Sequence, residues 1–168
     1  MKKRLTFVLV FGVFVFVGLH EAQAQAQIEI GPRIGFDLAG DVEEFFLGAD
    51  GRVDLATLPV LLNGTFDLYF PDNFDFWQLS FNALYEFGIA NQAFSPYAGG
   101  GIGISRVSFD NDLGQFGIDD GETDIGLNII GGATFGFGNL KPYAQAQITI
   151  GDVDLFSIAG GLLFSIGN

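Results

Sequence analysis

The chain has 168 residues, a formal net charge of −13 and no cysteine. Its length predicts a single domain, and a hydrophobic fraction of 49% argues against a disordered chain. The missing cysteine excludes disulfides, thiol catalysis and zinc–thiolate sites. Seven basic residues against twenty acidic residues argue against a nucleic-acid-binding protein, which needs a basic face for phosphate.

The first predicted element is a cleavable secretory signal peptide over residues 1–24. Lys2, Lys3 and Arg4 form a basic start, residues 5–19 form an apolar run, and Ala22-Gln23-Ala24 fits the small-residue cleavage pattern. The apolar run is short for a helix that spans a bilayer. Cleavage removes the single histidine at position 20, so it excludes histidine-dependent catalysis and histidine-ligated metals.

Residues 25–168 are predicted to form one barrel domain, because apolar and polar residues alternate in eight successive segments. The predicted strands are residues 28–38, 47–55, 58–70, 77–87, 97–109, 124–137, 140–150 and 155–166. The fifth is the least regular, and its glycine run predicts a bulge or a crowded neighbour. Eight strands with short connections favour a closed, antiparallel up-and-down barrel, since an open sheet would leave two unpaired edges.

The apolar face of this all-β barrel is predicted to point outward, toward lipid. It carries more large side chains than the interior of an eight-stranded barrel can hold. The polar face is rich in Gly, Ser, Asn and Gln, which suits a crowded, hydrated lumen. The alternative is a soluble, secreted ligand-binding barrel, which would place the apolar face inside.

Acidic residues segregate to one end of the predicted barrel. If the N-terminus is periplasmic, the outer loops lie near residues 39–46, 71–76, 110–123 and 151–154, and they contain twelve of the nineteen carboxylates left after cleavage. The opposite connections, near 56–58, 88–93 and 138–139, contain none. Aromatic residues near the strand ends predict interface girdles. They are Phe45, Phe46, Phe70, Phe74, Phe76 and Trp77 beside the acidic loops, and Tyr85, Phe87, Phe94 and Tyr97 at the other end.

Three segments carry a resemblance to a known family: IEIGPRIGFDL, SPYAGGGIGIS and GGATFGFGNLKPYAQAQITIG. They resemble the small eight-stranded outer-membrane barrels of the OmpA/OmpX/opacity type, over nearly all of residues 27–168. The resemblance implies the outer membrane of a Gram-negative-type bacterium, contact with outer-membrane lipid, and assembly by the barrel-assembly machinery. A monomer without a cofactor and without enzymatic activity is expected.

The lumen is the first candidate site. Its predicted ionisable residues are Glu29, Arg33, Asp37, Asp50, Arg52, Asp54, Asp67, Glu86, Asp124 and Lys141. The first hairpin is predicted to bring Arg33 near Arg52, so that each arginine needs a carboxylate. These groups predict a salt-bridged plug, and the alternative is a narrow, cation-preferring channel.

The acidic outer loops are the second candidate site, with a structural or surface-interaction role. The third loop carries carboxylates that suit hard divalent cations such as Ca²⁺ or Mg²⁺. The candidate ligands are Asp110, Asp112, Asp119, Asp120 and Glu122. Gln115 stands where an EF-hand would need its invariant glycine, so the alternative is a solvated acidic loop.

Overall fold

The computed structural model describes residues 26–55, 57–71, 74–88, 94–109 and 121–166. The strands are β1 (Ala26–Gly40), β2 (Phe45–Leu55), β3 (Leu61–Tyr69), β4 (Phe74–Glu86), β5 (Phe94–Phe109), β6 (Gly121–Phe135), β7 (Leu140–Ile150) and β8 (Leu155–Ile166). The predicted signal peptide lies outside the described residues. Within those residues, no helix is long and apolar enough to cross a membrane.

The eight strands form a closed barrel in which each strand pairs with its neighbours in sequence and β1 pairs with β8. Every pairing is antiparallel. The pairing of β1 with β8 shifts register between Asp37 and Ala39. Closure leaves no strand edge unpaired, which confirms the predicted eight-stranded, up-and-down topology.

The two faces of the barrel have opposite chemistry. Large apolar side chains point outward along every strand; on β6, for example, Ile125, Leu127 and Ile129 are 66%, 65% and 56% exposed. The positions between them point inward and are mostly polar and buried, as Asn128 is. The apolar face is therefore on the outside, as the strand pattern predicts and contrary to what a soluble barrel would require.

The two ends of the barrel differ in their connections. At one end, which we call the acidic end, residues 41–44 join β1 to β2 and residues 151–154 join β7 to β8. The opposite end holds the start of β1 and the connections from β2 to β3, β4 to β5 and β6 to β7. There, Gly138 and Asn139 make a two-residue turn between Phe137 and Leu140. Gly138 has a φ of 68°, which glycine adopts without steric cost.

The glycines of β5 face a crowded interior. A Cβ atom on Gly101 would lie 2.5 Å from Asn82 Oδ1, and one on Gly103 would lie 3.0 Å from Gln78 Nε2. The register of β5 with both neighbours is continuous, so the strand has no bulge. Of the two sequence-based explanations for the glycine run, the crowded neighbour is the one that the structure shows.

Candidate functional site

The middle of the lumen contains a continuous chain of hydrogen-bonded side chains, which we call the lumen network. Each member donates to the next over 2.7–3.5 Å, and the members come from six of the eight strands. From first donor to last acceptor they are Arg52, Tyr97, Gln145, Gln147, Thr149, Asn128, Asn82, Asn63 and Asp50.

Charge at the two ends sets the direction of the lumen network. Arginine can only donate hydrogen bonds and an ionised carboxylate can only accept them, so Arg52 and Asp50 orient every amide between them. Arg52 Nη2 also lies 3.2 Å from Asp50 Oδ2, which closes the chain into a ring. Hydrogen bonds that all run in one sense polarise one another and strengthen each link.

The guanidinium of Arg52 is held on several sides. Its carbon lies 4.8 Å from the ring centroid of Tyr97 and 4.4 Å from that of Tyr143. Its Nη1 donates to Thr134 Oγ1 over 3.4 Å. Because Arg52 is only 1% exposed, these contacts and the Asp50 carboxylate replace the water that the cation has lost.

A second buried ion pair lies nearer the acidic end. Arg33 Nε is 3.2 Å from Asp67 Oδ1, and the Arg33 guanidinium lies 5.4 Å from the ring centroid of Phe46. Gly48 pairs with Arg33 on one side and with Asp67 on the other, and a Cβ there would lie 3.1 Å from Arg33 Cγ. A side chain at position 48 would therefore separate the two charged groups.

A cluster of buried apolar side chains, which we call the apolar cap, lies nearer the acidic end of the lumen. Its buried members are Phe46, Tyr69, Phe76, Leu155 and Ala159. The rings of Phe46 and Tyr69 have centroids 4.9 Å apart, as do those of Tyr69 and Phe76. A smaller apolar cluster of Leu84, Tyr97 and Ile130 lies toward the opposite end.

Part of the aromatic prediction is wrong. Phe46, Phe76 and Tyr97 were expected in lipid-facing girdles, but they are 0%, 2% and 2% exposed and point into the lumen. The reason is strand parity: each shares its face with buried polar neighbours such as Asp50, which lies four residues from Phe46. Tyr85 and Phe87 are outward and about half exposed, as a girdle requires.

The structure brings the ten predicted lumen residues into the lumen or its two mouths. Glu29, Arg33, Asp37, Asp50, Arg52 and Asp67 are buried. Lys141 pairs with Glu29 at the opposite end, where both line a cavity of about 120 Å³ together with Asp54 and Glu86. Asp124 lines a cavity of about 140 Å³ at the acidic end, and its Oδ2 accepts the Val153 N–H.

The predicted closeness of the two arginines is wrong. Arg33 on β1 pairs with Gly48 on β2, whereas Arg52 on β2 pairs with Glu29 on β1. The two arginines are therefore offset by four residues along the hairpin. The predicted hairpin placed its turn about two residues too far along the chain, because loop composition does not fix register. Each arginine nevertheless has its own carboxylate, as expected.

Only one of the five candidate metal ligands lies among the described residues. Asp110, Asp112, Asp119 and Asp120 lie outside the described residues. Glu122 is exposed and lines the acidic-end cavity. Among the described residues, no group of three or more carboxylates is arranged to hold a metal ion.

Sequence reasoning missed the uncharged members of the lumen network as functional residues. The predicted set contained only ionisable groups, although Asn63, Asn82, Asn128 and Gln145 occupy the same inward positions of their strands. The available signal was the recurrence of amide side chains at inward positions on adjacent strands. In a closed barrel such side chains must meet across the lumen.

The fold and the filled polar lumen define a class: this is an eight-stranded barrel of the kind found in bacterial outer membranes. Solved structures with this fold include the N-terminal β-barrel domain of Pseudomonas aeruginosa OprF, with 19% identity and a TM-score of 0.68, covering 84% of this chain and 98% of that one. Neisserial surface protein A is 17% identical with a TM-score of 0.62, covering 84% and 96%. The attachment invasion locus protein Ail of Yersinia pestis is 19% identical with a TM-score of 0.58, covering 84% and 97%. The sequence matches no family model and no curated protein.

Proposed function

We propose that this chain is exported by a signal peptide over residues 1–24 and resides in the outer membrane of a Gram-negative-type bacterium as a monomeric, non-enzymatic barrel. The barrel has either a structural role or a surface-interaction role that it performs through its acidic end. The observation that carries the proposal is the lumen network, which fills the bore from β2 around to β7. A barrel whose interior is packed and whose exterior is apolar presents only its ends to solutes.

The acidic end supports a partner of positive charge. Among the described residues, its connections carry Asp41, Glu43, Glu44, Asp152 and Asp154, while the described parts of the opposite connections, residues 57–60, 87–88 and 136–139, carry no carboxylate. Like charges repel at an interface, so polyanions are disfavoured and basic peptides or divalent cations are favoured. Ail, in contrast, has been solved in complex with the heparin analogue sucrose octasulfate, which is a polyanion.

Binding of a basic peptide tests this proposal. The full chain in uncharged lipid vesicles should bind oligolysine more tightly than heparin, with affinity that falls as salt screens the charges. A variant with Asp41→Asn, Glu43→Gln and Glu44→Gln should bind less, because it loses three charges at the acidic end. The matched control neutralises Asp54 and Glu86 at the opposite end, and it should bind oligolysine as the unaltered protein does. Equal loss in both variants would contradict a role for the acidic end.

The cation-preferring channel is the competing function, and the carboxylates at both mouths are what favour it. The packing between the mouths argues against it, because Gln78, Gln147 and Thr149 are hydrogen-bonded to one another across the bore. Single-channel recording in planar bilayers should show no conductance above the lipid background. A steady, cation-selective conductance would overturn the plug and leave the membrane location intact.

A further inference from the structure

The cavity at the opposite end of the barrel is lined by charged side chains of both signs. Its volume is about 120 Å³, and three carboxylates, two cations and Gln27 contribute to its wall. The charged residues are Glu29, Arg52, Asp54, Glu86 and Lys141. All of them, like Gln27, occupy inward positions of their strands, so the cavity opens at the mouth where β1 begins.

The charges on the wall of this cavity do not balance. Lys141 pairs with Glu29, and the guanidinium of Arg52 is held by its carboxylate partner in the lumen network. Within the described part of the chain, no ion pair includes Asp54 or Glu86. Two carboxylates at this mouth are therefore left without a cation.

Cleavage of the proposed signal peptide supplies a cation at the same mouth. When the chain is cut after Ala24, Gln25 becomes the first residue, and its α-amino group is mostly protonated at neutral pH. Gln27 follows two residues later, lines the cavity, and is the cross-strand partner of Asp54. The backbone geometry keeps the Gln25 nitrogen within about 9 Å of the Gln27 Cα, so the new ammonium group lies within reach of the cavity.

We infer that this cavity is the docking site of the chain's own amino terminus, where the Gln25 α-ammonium pairs with Asp54 and Glu86. The inference rests on the proposed cleavage of the signal peptide. The tethered ammonium is favoured over a free amine, because a short tether gives it an effective concentration in the millimolar range. A metal ion is disfavoured, since no group of three or more carboxylates among the described residues is arranged to hold one. In the uncleaved chain the Gln25 nitrogen belongs to a neutral amide, so the ion pair forms only after processing.

The reactivity of the amino terminus tests this inference. The processed chain in uncharged lipid vesicles is treated at pH 7 with an acylating reagent that attacks only neutral amines, and mass spectrometry locates the products. Lys141 is the single lysine left after cleavage, so only two amines have to be resolved. In an Asp54→Asn, Glu86→Gln variant the Gln25 amine should react about tenfold faster, because nearby carboxylates raise the pKa of a paired amine and lower its neutral fraction.

The matched control is an Asp41→Asn, Glu43→Gln variant, which loses two charges at the acidic end and should react as the unaltered chain does. Equal rates in the unaltered chain and in the variant at 54 and 86 would overturn the inference and leave the export proposal intact. A Gln25 that has cyclised would also overturn it, because the α-amine has then displaced ammonia from its own side-chain amide and carries no charge. A chain that does not begin at Gln25 would overturn the inference, and one that still carries residues 1–24 would overturn the export proposal as well.

Stability gives a second, independent measurement. Acetylation of the amino terminus removes its charge, so it should lower the urea midpoint of the unaltered chain by about 0.1–1 M, as the loss of a solvent-accessible ion pair does. The same acetylation should leave the midpoint of the Asp54→Asn, Glu86→Gln variant unchanged, because that variant has no carboxylates to pair. An equal shift in both proteins would overturn the inference.

Discussion

Removal of the Arg52 guanidinium should destabilise the barrel strongly, because it leaves the Asp50 carboxylate buried without its ion-pair partner. Arg52 and Asp50 are 1% and 0% exposed and their charged atoms lie 3.2 Å apart. Breaking a buried pair by deleting one partner costs about 3–5 kcal/mol. Arg52→Met keeps an unbranched side chain in place of the arginine stem, so the loss reports the guanidinium group: its charge, its hydrogen bonds and its contacts with the rings of Tyr97 and Tyr143.

Urea unfolding in lipid vesicles measures this cost. Trp77 is the single tryptophan and sits on an outward position of β4, so its fluorescence reports transfer from lipid to water. With a denaturant slope of about 1–3 kcal/mol per molar urea, a loss of 3 kcal/mol lowers the midpoint by about 1–3 M. Arg106→Met is the matched control: Arg106 makes an exposed hydrogen bond to Thr123, and an exposed contact of this kind contributes about 1 kcal/mol or less.

A double-mutant cycle separates the pair from the remaining contacts of Arg52. Asp50→Asn keeps an oxygen that can accept the Asn63 amide but removes the buried negative charge. The combined Arg52→Met, Asp50→Asn variant should be more stable than the sum of the single effects, by about 0.5–3 kcal/mol. If Arg52→Met costs no more than Arg106→Met, or if the two single effects add, the reasoning about the lumen network is refuted.

Further predictions concern the space inside the barrel and the lipid outside it. Gly48→Ala should cost about 1–3 kcal/mol, because the added methyl group collides with the Asp67 carboxylate. Gly51→Ala, where the nearest atom is 3.8 Å away, should change the unfolding free energy by less than about 0.5 kcal/mol. Ile129→Lys, near the middle of β6, should cost about 2–4 kcal/mol, whereas Ile125→Lys, closer to the strand end, should cost about 0–1 kcal/mol. Equal costs at the two positions would contradict a bilayer around the barrel.

The strands could be predicted because each one has one apolar and one polar face. For β7 and β8 the predicted bounds, residues 140–150 and 155–166, are those of the structure. Their connections are short and carry clear turn residues, such as Gly138 before β7 and Gly151 before β8. Alternation of apolar and polar residues and the presence of turn-forming residues are local properties of the sequence, so both can be recognised without knowledge of the tertiary structure.

Register and the occupants of the lumen were harder to predict. The first hairpin was misaligned by four residues because its acidic loop offers no apolar pattern to fix the pairing. The apolar cap was missed because an inward phenylalanine and a lipid-facing phenylalanine look alike beside a strand end. The lumen network depends on contacts between residues distant in sequence, such as Arg52 with Tyr97, and the alternation within a single strand does not determine such contacts.

Paired spin labels test most directly whether the apolar face contacts lipid and the polar face lines the lumen. The chain has no cysteine, so Ile129→Cys and Asn128→Cys each give one labelled site on adjacent residues of β6. Collision rates with oxygen, which concentrates in hydrocarbon, and with a water-soluble nickel chelate distinguish the two environments. We expect the label at 129 to collide readily with oxygen, and the label at 128 to be shielded from both reagents. A label at 129 that meets the nickel chelate instead, beside a label at 128 that meets oxygen, would contradict the account.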